Sequence, residues 1–126
     1  MARFILIGLV EPGSDSPEDQ QAFDDHYLGQ HIYDTALCPN FLSGTVYKLR
    51  GGHVGIDIPS EYIAIYEVDA ESYEEAERVL NEWQRDPNAW EGRAEHNRAM
   101  AEAKGTPLKV KGSGWYEFEC AYHTRG

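Results

Sequence analysis

Cysteine is scarce: Cys38 and Cys120 are the only two in 126 residues. They form no CxxC and no dense framework, which excludes a cysteine-built scaffold and makes a reduced, cytoplasmic protein the expectation, with one Cys38–Cys120 disulfide left open. Basic residues are also few. Eleven Lys and Arg stand against 22 Asp and Glu, a net charge of −11. Such a surface repels phosphate backbones and anionic membranes, so neither nucleic acid nor membrane is an expected partner. No apolar run approaches the length of a bilayer span. The opening MARFILIGLV carries a short apolar run, one Arg, and an acidic turn after it instead of a small-residue cleavage site, so it reads as a strand and not a signal peptide. Several catalytic signatures are missing too. There is no HExxH, no histidine pair at i, i+4, no GK[ST] phosphate loop, no dinucleotide fingerprint and no nucleophile elbow. No metal and no cofactor are expected on these grounds. His26 and His31 diverge by about 140° on an ordinary helix, and Asp24 or Asp34 beside His31 is a weak metal signal in so acidic a chain.

What is present suits a single α+β domain over residues 1–126. Arg3 to Val10 is almost continuously apolar and predicts a strand buried on both faces. Ser16 and Pro17, followed by Glu18 and Asp19, predict a helix start, and Pro39 sets its limit near Ala36. Gly29 interrupts that helix. Phe41 to Leu49 and Glu61 to Val68 predict the next strands, joined by the exposed, glycine-rich RGGHVGIDIPS. The segment SYEEAERVLNEWQRD predicts a helix with Tyr73, Ala76, Val79, Leu80 and Trp83 on its apolar stripe. NAWEGRAEHNRAMAEA predicts a further helix with Trp90 and Ala94 inward, and GWYEFECAYH a last strand.

The order β-α-β-β-α-(α)-β is the ferredoxin-like arrangement, a four-stranded antiparallel sheet with helices on one face. Strand one is apolar on both faces, and strand three sets Tyr62 and Tyr66 opposite Ile63 and Ile65. The second sheet face therefore needs a cover, and the same face of another subunit supplies the simplest one, a homodimer. The ligand cavity then lies either between the two sheets or between a sheet and its first helix.

FDDHYLGQHI, PNF, VYKL and YIAIYEV, taken together, resemble the EthD-like family of the dimeric α+β barrel superfamily. The resemblance falls on Phe23, Tyr27, His31, Ile32, Pro39, Phe41, Tyr62, Ala64, Tyr66 and Glu67, with Asn40 in place of the usual Gly. It covers the first half of the chain and is diffuse beyond Ala70. It implies the barrel fold, a homodimer, and small, often aromatic or polyketide-like substrates in a mostly apolar cavity. Members of the superfamily include cofactor-independent oxygenases, cyclases, isomerases, dehydratases and haem-using enzymes.

The residues suggest chemistry of the same kind. Tyr27 and His31 are neighbours about 40° apart on one helical face, with Phe23 on the same stripe. Imidazole exchanges protons near neutral pH, and a phenol beside it can orient it or donate to a developing oxyanion. His31, Tyr27 and Tyr66 are thus the candidate catalytic residues. Phe23, Tyr62, Phe41, Trp83, Trp115 and His96 are the candidate substrate contacts. Structural readings stand beside these: His31 bracing the turn at Pro39, the tyrosines packing, and His53, His96 and His123 exposed. Cys38, at a helix C-terminus whose dipole raises a thiol pKa, is not expected to be a nucleophile. The expected function is a cofactor-independent lyase, cyclase or isomerase. A cofactor-free monooxygenase, a non-catalytic binding protein and a haem enzyme with a histidine ligand are the alternatives.

Overall fold

The computed structural model describes residues 1–55 and 60–123. Its strands are β1 (Ala2–Glu11), β2 (Phe41–Lys48), β3 (Tyr62–Ala70) and β4 (Lys109–Glu117). They form one sheet in the order β2-β3-β1-β4, with every pairing antiparallel. The α+β, ferredoxin-like prediction holds. In register, Phe4 faces Val68 and Leu6 faces Tyr66 on β3, while Leu6 also faces Trp115 on β4. These side chains point to the helical side and, with Ala64, Ala76 and Leu80, make the main core. Between them on β1 and β3, Ile5, Ile7, Leu9, Ile63 and Ile65 alternate to the other face and are half-buried in the single chain.

The first helical run holds one continuous path from Pro17 to Ala36 in three parts: α1 (Pro17–Ala22), a π-helical segment (Phe23–His31) and α2 (Ile32–Ala36). Ser16 caps it, its Oγ accepting from the Asp19 N–H at 3.2 Å. The wide turns of the middle part bond residues five apart; the Ile32 N–H donates to the Tyr27 carbonyl. The interruption expected at Gly29 takes the form of this widening. Asn40 sits at φ 76°, the left-handed geometry that lets it replace glycine in the turn into β2.

α3 (Tyr73–Arg85) starts where predicted, with the Glu75 N–H donating to Ser72 Oγ at 3.1 Å. α4 (Arg93–Glu102) has the predicted place but a different inward face: Arg93 and His96 are buried while Ala94 is exposed. β4 departs most from expectation. It begins at Lys109 and ends at Glu117, so Phe118, Cys120 and Tyr122 lie outside it, exposed. The Lys-Val-Lys-Gly-Ser-Gly stretch has little strand propensity of its own. It is held instead by the full ladder to β1 and by Lys109 and Lys111, whose Nζ atoms each lie 3.8 Å from Glu11 Oε1. Cys38 is buried, Cys120 is exposed, and both are free thiols. Part of the glycine-rich connection, residues 56–59, lies outside the described residues.

Candidate functional site

A cavity of about 500 Å³ lies between the helical side of the sheet and the helices. Leu6, Tyr66 and Trp115 form its sheet wall; Tyr27, His31 and Thr35 come from the first helical run; Glu77, Leu80 and Asn81 come from α3. Of the two placements left open by the sequence, this is the one inside a single chain, on the side away from the Ile5, Ile7 and Ile65 face. All three candidate catalytic residues line it. The stripe is realised as a stack: Phe23 and Tyr27 rings 5.0 Å apart, Tyr27 and His31 rings 5.7 Å apart.

Burial acts on these groups in opposite senses. It pushes the Tyr27 phenol far above its ordinary range, with Tyr66 adding to the effect. Burial also raises Tyr66, although hydrogen bonding with Thr35 and Tyr27 pulls it partly back. His31 moves down: burial disfavours the imidazolium, the Asp34 carboxylate opposes this in part, and His96 and Arg93 reinforce it. Near neutral pH the site therefore presents protonated phenols beside an uncharged imidazole. On the opposite wall the Trp115 indole N–H donates to Glu77 Oε2 at 2.5 Å.

The predicted substrate contacts separate. Trp115 lines the cavity; Phe23, Phe41, Tyr62, Trp83 and His96 do not. Phe23 is fully buried behind Tyr27, against Tyr62 at 4.7 Å. Phe41 packs against Tyr66 and Trp115, with ring separations of 5.8 and 6.2 Å, and so supports the cavity wall from behind. Trp83 donates its indole N–H to the Asp34 carbonyl at 3.1 Å. His53 and His123 are exposed, and His26 is half-buried.

Behind His31 lies a buried polar cluster that the sequence did not reveal. Asp34 and Arg93 form an ion pair, Nε to Oδ1 at 2.6 Å, with side chains 8% and 2% exposed. The Trp90 indole N–H donates to the same oxygen. Arg93 Nη1 donates to the carbonyls of Trp83 and Asp86 at 2.7 and 2.9 Å, and the guanidinium stacks 5.0 Å over the Trp83 ring. His96 corrects its expected exposure: it is 2% exposed. Its Nδ1 lies 3.0 Å from Gln30 Oε1, an acceptor, so with the amide assigned this way Nδ1 carries the proton and Nε2 carries a lone pair. The His31 and His96 rings are stacked at 5.8 Å. Three buried atoms here have no hydrogen-bond partner: His31 Nδ1, His96 Nε2 and Arg93 Nη2. His31, Asp34 and His96 each bring one potential ligand atom to a group within 4.8 Å of one another. The absence of a metal motif in sequence thus did not anticipate a cluster assembled from two helices.

Burial also explains Cys38, whose thiol is pushed up to about 12. Loss of water is the main cause, where the helix dipole alone had been expected to act.

No helix of the described residues is long and apolar enough to cross a membrane. No family model and no curated protein matches the chain. A crystal structure of an ethyl tert-butyl ether d (EthD) family protein from Bacillus halodurans C-125 is similar to it, 22% identical over 90% of this chain and 97% of that one, with a TM-score of 0.43. That protein bears the name of the family that the Phe23 to Glu67 pattern resembles.

Proposed function

We propose that the protein is an enzyme that moves protons on a small aromatic or polyketide-like carbonyl compound, as a lyase, cyclase or isomerase does. The observation that carries this reading is the meeting of an uncharged imidazole and two buried phenols on the wall of one cavity. His31 takes a proton from a carbon next to the substrate carbonyl. Tyr66, oriented with Tyr27, donates a hydrogen bond to the oxyanion that forms. His31 then returns the proton at another atom of the same substrate, and no external oxidant or reductant is needed. The volume of about 500 Å³ accommodates a ligand of one or two rings.

A homodimer belongs to the same proposal. Ile5, Ile7, Leu9, Ile63 and Ile65 form one apolar sheet face, with exposed Tyr47 and Tyr116 beside them. Two copies of that face are self-complementary about a twofold axis. Analytical ultracentrifugation checks it: wild type is expected as a dimer and Ile7→Lys as a monomer.

The test of chemistry is solvent deuterium exchange into a panel of aryl ketones and 1,3-dicarbonyl compounds, followed by NMR. Wild type is expected to accelerate exchange. His31→Ala is expected to lose ~10²–10⁴-fold of that rate, while quenching of tryptophan fluorescence shows the probe still bound. Exchange that is indifferent to His31→Ala removes the proton-transfer role. Binding across the panel without any exchange turns the protein into a carrier of small molecules.

A further inference from the structure

We infer that His31, Asp34 and His96 form a binding site for a divalent first-row transition cation, and that loading it silences proton transfer by His31. The second half rests on the proposed function; the site itself does not.

The geometry has the three parts such a site needs. First, the ligand atoms of the three side chains lie within 4.8 Å of one another. Tetrahedral bonds of about 2.0–2.2 Å set ligand atoms about 3.3–3.6 Å apart, so the side chains need close by at most about 1.5 Å. Second, the imidazole nitrogens His31 Nδ1 and His96 Nε2 are buried and unpaired. The Gln30 contact at His96 Nδ1 leaves the lone pair of Nε2 turned to the cluster. Third, the supporting contacts are already made. Ligating histidines characteristically donate their other ring N–H to an acceptor, as His96 does to Gln30. Asp34 is anchored through Oδ1 alone, by Arg93 and Trp90, and its other oxygen takes no part in those bonds.

Arg93 works against the site, because its charge lowers cation affinity. It also fixes the Asp34 carboxyl in place through Oδ1. Two nitrogens and one carboxylate select Zn²⁺, Co²⁺, Ni²⁺ or Fe²⁺ and leave Mg²⁺ and Ca²⁺ poorly held. Coordination engages the His31 Nδ1 lone pair. The ring's other nitrogen then carries the proton, so His31 can donate a hydrogen bond into the cavity but no longer accept a proton from the substrate.

The experiment is titration of the tag-free full chain with Co²⁺, followed by visible absorption, and with Zn²⁺, followed by calorimetry. Expected are one ion per chain, a cobalt d–d spectrum, and no response to Mg²⁺. His96→Ala is expected to weaken binding at least tenfold, and His96→Gln, closer in volume, to do the same if the alanine variant folds poorly. A wild type without cobalt bands or zinc heat overturns the site. So does unchanged binding in a folded His96 variant, which moves the ion to exposed histidines. For the second half, the deuterium-exchange rate of wild type is expected to fall on adding one equivalent of Zn²⁺, and whatever rate His96→Ala retains is expected not to respond. Binding with undiminished exchange leaves the site and overturns the silencing. Binding by a protein that exchanges nothing overturns the silencing and the proposed function together, again leaving the site.

Discussion

The two sides of His31 are built on opposite principles. Toward the sheet, Leu6, Tyr27 and Tyr66 leave a cavity lined by polar and apolar groups alike. Toward α4, the Asp34 carboxylate is held by Arg93 and Trp90, and His96 is held by Gln30. The cavity side has room for a ligand, while its Leu6 and Tyr66 also belong to the main core. The cluster side joins α2, α3 and α4 through one guanidinium and holds the backbone that carries His31. Function and stability should therefore respond to different substitutions, although the residues involved are neighbours.

The sharpest break in that comparison is expected from Arg93→Met. It strands the Asp34 carboxylate, and removing one partner of a buried ion pair costs ~3–5 kcal/mol. Urea unfolding should show this, with Asp34→Leu added in the same chain recovering part of the loss. Tyr66→Phe is expected to act on the cavity side only. Loss of an oxyanion donor lowers kcat by ~10²–10³-fold, with the urea midpoint nearly unchanged. Gln30→Leu removes the partner of His96 Nδ1 and is expected to cost ~1 kcal/mol, with a smaller effect on turnover than Tyr66→Phe. The smallest effect is a contrast between thiols. With its pKa pushed up to about 12, buried Cys38 has almost no thiolate at pH 8 and should resist iodoacetamide in the folded protein. Exposed Cys120 should react, which mass spectrometry reads as a single adduct.

Sequence made the cavity side legible and the cluster side nearly illegible. Tyr27 and His31 announce themselves by spacing on one helix, and Tyr66 by alternation on an apolar strand, so local periodicity was enough. Arg93 and Asp34 are 59 residues apart in the chain, and their pairing depends on how α4 docks. In the sequence Arg93 is one charge on a charged helix, and Ala94 looked like the better inward residue. β4 was misplaced for a related reason. Its Lys and Gly residues lack strand propensity, and the ladder with β1 supplies what they lack. The aromatic alternation after Trp115 suggested a longer strand, whereas β4 ends at Glu117 and the Phe118 N–H makes one more bond, to the Arg3 carbonyl at 2.8 Å.

The π-helical stretch from Phe23 to His31 has an evolutionary corollary. Each of its turns takes in more residues than an ordinary turn, so the register of everything downstream depends on how many residues it holds. Excising a single residue there would rotate Asp34 and Thr35 by about 100° relative to the start of the helix. Relatives that retain the chemistry should therefore vary in side chains along this stretch far more readily than in its length.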